Sequence, residues 1–305
     1  MRQPPIIRML PDRRRLHLSD GPIDLIVEAR GIPQAVQCAY EAAARRFVTI
    51  LDELCAELPL LRTRRSRGSA WPGGSIARVM AGAVAPYCTT CFITPMAAVA
   101  GAVAEAVLRA MTAAVALDRA YVNNGGDIAL HLANGQHFTV GMVERPDRPS
   151  LFGCFEISAA VPIRGIATSG WRGRSFSLGI ADAVTVLAET ASKADAAATI
   201  IANAVNLPGH AAIVRVPACE IAPDSDLLDL PVTRGVGDLT RNEVSQALDA
   251  GEGVANELRQ RGLICGAALS LQGDARVVSP LRPCFDFPRR AKELRSCLKW
   301  HCGNA

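Results

Sequence analysis

"YVNNGGDIAL", residues 121–130, sets two asparagines, two glycines and an aspartate between apolar runs. Asn-Gly adopts the positive φ that a two-residue turn between strands needs. With "RAYVNN" (119–124), "DIALHL" (127–132) and "HFTVGMV" (137–143), the stretch predicts an antiparallel meander turning at Asn124-Gly125 and Asn134-Gly135. The same residues also read as a binding loop, in which Gly125 and Gly126 let the backbone approach a phosphate and Asp127 holds a metal or polar ligand. Local sequence leaves both readings open.

Working outward, "PIDLIVEARG" (22–31) reads as a strand and residues 34–58 as a long amphipathic helix. A second helix is expected from Ile76 to Ala85, and a third from Pro95 through "PMAAVAGAVAEAVLRAMTAAVAL" (95–117). The third is apolar enough to resemble a membrane span. Its small residues, and the i,i+4 pair Glu105 and Arg109, instead fit a central helix packed tightly on a sheet. Past "ERPDRPS" (144–150), read as a linker, come three strand-like segments up to residue 189 and a helix over 193–206. A further strand at 211–221, one or two helices over 239–262 and a closing hairpin at 264–278 complete the chain. Strands and helices come in runs without strict β-α alternation, so the fold class is α+β, a layered fold of antiparallel or mixed sheets and long packed helices. No GxGxxG opens a helix after a strand, which removes the Rossmann reading.

Half of the 305 residues are hydrophobic but only 5% are aromatic, so Ala, Val, Leu and Ile must build the core. The net charge is +4, with arginines bunched at 13–15, in "RTRRSRG" (62–68), at Arg172 and Arg174, and near the end. Such clusters attract anions, yet these runs lack the interleaved aromatics of a single-strand nucleic-acid surface, so no nucleic-acid partner is expected. "MRQPPIIRMLPDRRR" (1–15) has prolines and charge where a signal peptide needs an apolar run, so a cytoplasmic protein with no membrane partner is expected. The ten cysteines then read as reduced core residues. Cys88 and Cys91 form a CxxC without a second pair at zinc spacing, "KWHC" (299–302) being the other ligand group.

Two further stretches carry candidate chemistry. "TSGWRGRS" (168–175) combines Thr168, Ser169, Gly170, Arg172 and Arg174, which would aim backbone amides and guanidinium forks at a phosphate, or form a polar turn. On the helix "KADAAATIIAN" (193–203), Asp195 and Thr199 lie four apart and share a face, with Asn203 a turn beyond. Carboxylate and hydroxyl oxygens suit a hard cation such as Mg²⁺. Alternatively Ser192 is an N-cap and Asp195 the N3 residue of a capping box.

In matching order, "PMAAVAGAVAEAV", "NNGGDIAL", "IATSG" and "KADAAATIIAN" resemble the ApbE family of flavin transferases, and more closely a short cytosolic branch of ApbE-like proteins. The likeness runs from about Leu25 to Leu271. It implies one ApbE-like domain over residues 1–285, whether or not two lobes meet at a central cleft, followed by a basic tail at 286–305. It also implies a cleft for FAD and Mg²⁺, from which true transferases pass FMN to a hydroxyl of a target protein. Position by position, Asp127 matches the family's acidic loop and Thr168, Ser169 and Gly170 its TSG turn, while Asp195 with Thr199 matches its Mg²⁺-binding helix pair. Asp127 and Asp195 are then the catalytic candidates, with Asn124, Gly125, Gly126, Arg172 and Arg174 beside the ligand. One departure stands against transfer: the family's histidine strand after TSG is replaced by "SFSLGIADAV" (175–184), and no histidine lies between His137 and His210. The resemblance therefore implies a cofactor-biosynthesis protein handling a flavin nucleotide or another phosphorylated small molecule. The alternatives are a flavin-, nucleotide- or pterin-binding protein without turnover, or an assembly partner in a one-carbon, methanopterin-type pathway. The alanine-rich helices would tolerate a homodimer.

Overall fold

The computed structural model describes residues 4–143 and 151–279. The expected linker at 144–150, the basic tail at 286–305 and "KWHC" lie outside the described residues.

The chain opens with three strands, β1 (Ile6–Met9), β2 (Arg15–Asp20) and β3 (Ile23–Arg30). Burial in β3 alternates strictly, Ile23, Leu25, Val27 and Ala29 facing inward, as one-sided packing demands. Helix α1 (Pro33–Ala56) begins with proline in its first turn and buries Ala35, Ala39, Ala43, Phe47, Ile50 and Leu54 along one stripe. A short α2 (Leu58–Leu61) and α3 (Ser75–Val84) follow. Pro95–Ala98 forms a 3-10 turn, so the expected third helix becomes α-helical only as α4 (Val99–Ala114). Pro95–Ala114 is long and apolar enough to cross a membrane. Here it lies between α1, α5, β4 and β5, with Gly101, Ala102, Val103, Ala104, Val107, Leu108 and Met111 buried.

Next come β4 (Arg119–Asn124), β5 (Asp127–Leu132), β6 (His137–Val143), β7 (Leu151–Ser158), β8 (Gly165–Ser169), β9 (Ala183–Ala188) and α5 (Ala191–Ala204). The chain closes with β10 (Ile213–Pro217), α6 (Ala218–Ile221), β11 (Pro231–Val236), α7 (Arg241–Gln260), β12 (Gly266–Leu271) and β13 (Asp274–Val278). The region read as one or two helices is a single α7, started by a Thr240–Glu243 capping box.

Nine strands form one sheet in the order β1-β2-β3-β4-β5-β8-β9-β12-β13, every pair antiparallel. Helices α1, α4, α5 and α7 cover one face as a layer that follows the strand order. The fold is α+β. Two expectations change. β1 and β2 add to the expected β3, because the arginine-rich residues 8–15 obscure the alternation there. β6 also leaves the meander: it pairs with β7 as a separate ribbon, although Gly135 does turn with positive φ. The ribbon covers the other face of the sheet over a second apolar cluster that includes Leu130, Phe155, Ile157, Ile166 and Leu187. Among the described cysteines none is bridged and only Cys154 is buried, so the thiols are mostly peripheral rather than core residues.

The helix layer is close because it is built from alanine and glycine. A Cβ on Gly101 would stand 2.3 Å from the Ala191 carbonyl oxygen and 2.7 Å from the Ser192 nitrogen, backbone atoms that cannot step aside. On α7, a Cβ on Gly253 would meet nothing within 4 Å. Gly101→Ala should therefore lower the unfolding free energy by about 1–3 kcal/mol. Gly253→Ala should raise it by roughly 0.5–1 kcal/mol through helix propensity alone. Equal effects in urea titrations would refute the backbone contact.

Candidate functional site

The site grows from the place where α4 and α5 meet. An α-helix leaves its first amides without internal partners. In α5, Thr190 is the N-cap and accepts from the Lys193 amide, while Glu105 of α4 accepts from the Ser192 amide at 2.6 Å. In return, Asp195 of α5 accepts from the Gly101 amide of α4 at 3.0 Å and also from that of Ala100. Each helix supplies the carboxylate that terminates the other. The expected capping box thus gives way: Thr190, not Ser192, is the N-cap, and Asp195 caps a different helix.

The β4–β5 hairpin enters from the sheet. Asn124 pairs with Asp127, so the two turn residues are Gly125 and Gly126, both at positive φ (66° and 116°), one position later than Asn124-Gly125. Asn123 Oδ1 accepts from the Gly126 amide at 2.8 Å, and Asn124 Nδ2 donates to the Ala100 carbonyl at 3.2 Å, tying hairpin to helix. Strand alternation puts Asp127 on the helix-covered face with Ala129. Its Oδ1 accepts from the Thr168 amide at 3.2 Å, which joins the hairpin to the TSG turn.

Thr168 contributes that amide rather than its hydroxyl, because its Oγ1 is 2.9 Å from Thr185 Oγ1. Ser169 ends β8 on the opposite side of the strand, the helix side. Gly170 leaves no room for a side chain, since a Cβ there would come 2.6 Å from the Asp182 carbonyl oxygen. The two arginines separate. Arg172 stacks on Trp171 and holds the buried Asp182 at 2.5 Å, so it braces the loop. Arg174 is exposed and lies across the turn: a Cβ on Gly125 would be 2.1 Å from its Nη2. Asn203 accepts from the Leu178 amide and the Ser177 hydroxyl, anchoring the far end of the same loop. Asp182 and Glu105 were not anticipated as site residues, since neither shows its partner in the local sequence.

The electrostatics follow from crowding. Burial pushes the Asp127 carboxyl up to about 7, opposed by the Thr168 amide and by Arg174. Asp195 is raised well above the usual carboxylate range by burial and then by the negative charge of Asp127, with Glu105 adding to it, against the pull of the Gly101 and Ala100 amides. The donors are all oxygen: Asp127, Asp195, and Thr199 one turn on, whose hydroxyl makes no hydrogen bond among the described residues. Among the described residues no group of three or more His, Cys, Asp or Glu side chains is placed to hold a metal. A cation fitting this set is hard and takes most of its ligands from water or substrate phosphate, as Mg²⁺ does.

A family model described as "AbpE bacteria" matches residues 7–277. The chain belongs to this family. It is 38% identical over 188 residues to a UPF0280 protein of Methanopyrus kandleri, covering 60% of this chain and 71% of that one. It is 41% identical over 117 residues to a UPF0280 protein of Methanothermobacter thermautotrophicus, covering 38% of this chain and 44% of the relative, so it spans less than half of that protein. Among solved structures, flavin transferase ApbE from Vibrio cholerae aligns over 88% of this chain and 98% of its own, with a TM-score of 0.48 and 12% identity. An ApbE protein of Thermotoga maritima aligns over 87% and 96%, with a TM-score of 0.46 and 12% identity.

In this AbpE-family chain, Asp127 sets a pH dependence. Folded, it keeps its proton up to about pH 7, whereas the unfolded chain ionises it near 3.8, the ordinary aspartate value. Between those values the native state binds the extra proton. Stability must then fall as pH rises through that window, by at most about 1.4 kcal/mol per pH unit for one proton, and level off above it. Asp127→Asn keeps the acceptor for the Thr168 amide and should reduce the slope between pH 4 and about 7, leaving the part that Asp195 contributes. Chemical denaturation at several pH values reads this directly, and an unchanged slope in the variant would remove Asp127 as the cause.

Proposed function

We propose that this protein binds a flavin nucleotide or a similar phosphorylated ligand together with Mg²⁺, in the cytoplasm, and serves cofactor biosynthesis. The observation that carries the reading is the convergence of Asp127, Asp195, the Thr168 amide and Arg174 around the Gly125-Gly126 turn. Asp195 and Thr199 would hold the cation. Bound there, Mg²⁺ would neutralise charge on a diphosphate. Arg174 would meet a phosphate with its guanidinium fork, Gly125 and Gly126 letting the ligand close on the backbone. Ser169 and Gly170 would border the ligand beside this turn, and Asn124 holds the turn to α4. Arg172 positions the loop through Asp182. With no histidine between His137 and His210, and His210 engaged with Glu243 at 2.9 Å, Asp127 is the group whose raised pKa suits it to accept a proton from a hydroxyl.

The same missing imidazole favours a second reading, a flavin, nucleotide or pterin carrier without turnover. One set of measurements separates them. Mg²⁺-dependent release of AMP from FAD, lost in Asp195→Asn, is the outcome expected for transfer. A shifted flavin absorbance without AMP release is the outcome for a carrier. In either case the ligand that binds, FAD or a pterin phosphate, should at about a hundred times its Kd stabilise the protein by roughly 2.7 kcal/mol. If neither FAD with Mg²⁺ nor a pterin phosphate raises the melting temperature, the site does not bind such ligands.

A further inference from the structure

A second constellation lies in the loop before α3, outside the residues just described. Arg65 is a buried arginine, 5% exposed, yet it has no carboxylate partner among the described residues. Its Nη1 donates to the Ala70 carbonyl at 2.7 Å, its amide donates to Ile93, and its guanidinium lies 4.4 Å from the ring centre of Trp71. Burying a guanidinium without a counter-charge is costly. Trp71 meanwhile is 58% exposed, so one face of the indole rests on the cation and the other is open. Arg64, over Phe92 at 5.7 Å, and Arg67 are exposed and pair with no carboxylate among the described residues.

The acids facing this loop are already engaged. Glu57 accepts the Gly73 and Gly74 amides, Asp224 pairs with Arg62, and Asp226 accepts from Thr94. The platform is also held in place. The Ser66 amide donates to Ser69 Oγ, and Arg78 Nε donates to the Pro72 carbonyl, bracketing Trp71 between two anchored turns. Along the chain the run "RTRRSRG" contains no aromatic residue, but folding brings Trp71 and Phe92 against it.

An exposed indole above a buried cation, on a loop that also carries the exposed Arg64 and Arg67, is complementary to a flat ring that carries negative charge. We propose that Trp71 is a stacking site for a phosphorylated aromatic heterocycle, with a nucleoside monophosphate as the minimal ligand and Arg64 and Arg67 as its phosphate contacts. Only one open aromatic face is offered, whereas a groove for single-stranded nucleic acid stacks successive bases on several rings. The proposal is independent of the Asp127–Asp195 reading and needs no metal.

AMP is the probe, titrated without Mg²⁺ by calorimetry and by tryptophan fluorescence. We expect saturable binding with quenching, weakened roughly tenfold or more in Trp71→Leu and reduced to the level of adenosine in the Arg64→Ala, Arg67→Ala double variant. The Mg²⁺-dependent part of the stabilisation by FAD should be unchanged in Trp71→Leu, which separates this site from the other. Absence of saturable AMP binding, or full affinity in Trp71→Leu, would overturn the proposal. Inorganic phosphate competing as well as AMP would reduce the surface to an anion patch, and affinity for oligo-dA rising with length would make it a strand-binding face; both results contradict a mononucleotide site.

Discussion

Two helix beginnings pressed backbone to backbone hold this molecule's candidate chemistry in place. The contact between Gly101 and Ala191 exists because residue 101 has no side chain, and it is satisfied because Glu105 and Asp195 exchange places as caps. Were α4 and α5 farther apart, the Gly101 and Ser192 amides would need water, and Asp195 would not reach beneath the β4–β5 hairpin. Alanine at nearly every buried position of α5 serves the same end, letting the helix lie close on β8 and β9.

That arrangement gathers negative charge. Burial disfavours the ionised forms of Asp127 and Asp195, and the nearby charges of Asp127 and Glu105 add to the penalty on Asp195. The opposing forces are the helix-terminal amides and Arg174. For Asp127 and Asp195 they do not suffice, so both carboxyls hold a proton more firmly than solvated ones do. Arg172, which looks equivalent to Arg174 in the sequence, is neutralised by Asp182 and acts on the loop instead. A single guanidinium therefore faces the turn.

The family resemblance and the fold class were readable from ordered short motifs, and so were α1, α3, α5, α7 and the β12–β13 hairpin, whose periodicities are local. Other features were hidden for specific reasons. β1 is an exposed edge strand of four residues with no alternation to read, and β2, which lies between it and β3, is a short strand that begins at the end of the arginine run 13–15. β6 has the length and the preceding turn of a meander strand, yet its partner is β7, because the ribbon is needed to cover Ile128, Leu130 and Leu132 on the second face of the sheet. Asp195 was visible as either cation ligand or cap. That its amide donors belong to another helix, 94 positions away, was not visible.

Taken alone, the amino-acid order determined which residues are polar within apolar elements: the Gly-Gly turn, the TSG bend, and the acid and alcohol one helical turn apart. These follow from φ preferences and from the 3.6-residue repeat, which act within a few positions. The tertiary structure alone decided what those groups face. Thr168 turns its hydroxyl toward Thr185, Arg172 is consumed by Asp182, Arg65 lies under Trp71, and Asp127 and Asp195 share one poorly solvated space. Each of these depends on distances between segments far apart in the chain, and a carboxylate's charge state depends on just such neighbours and on the water they exclude.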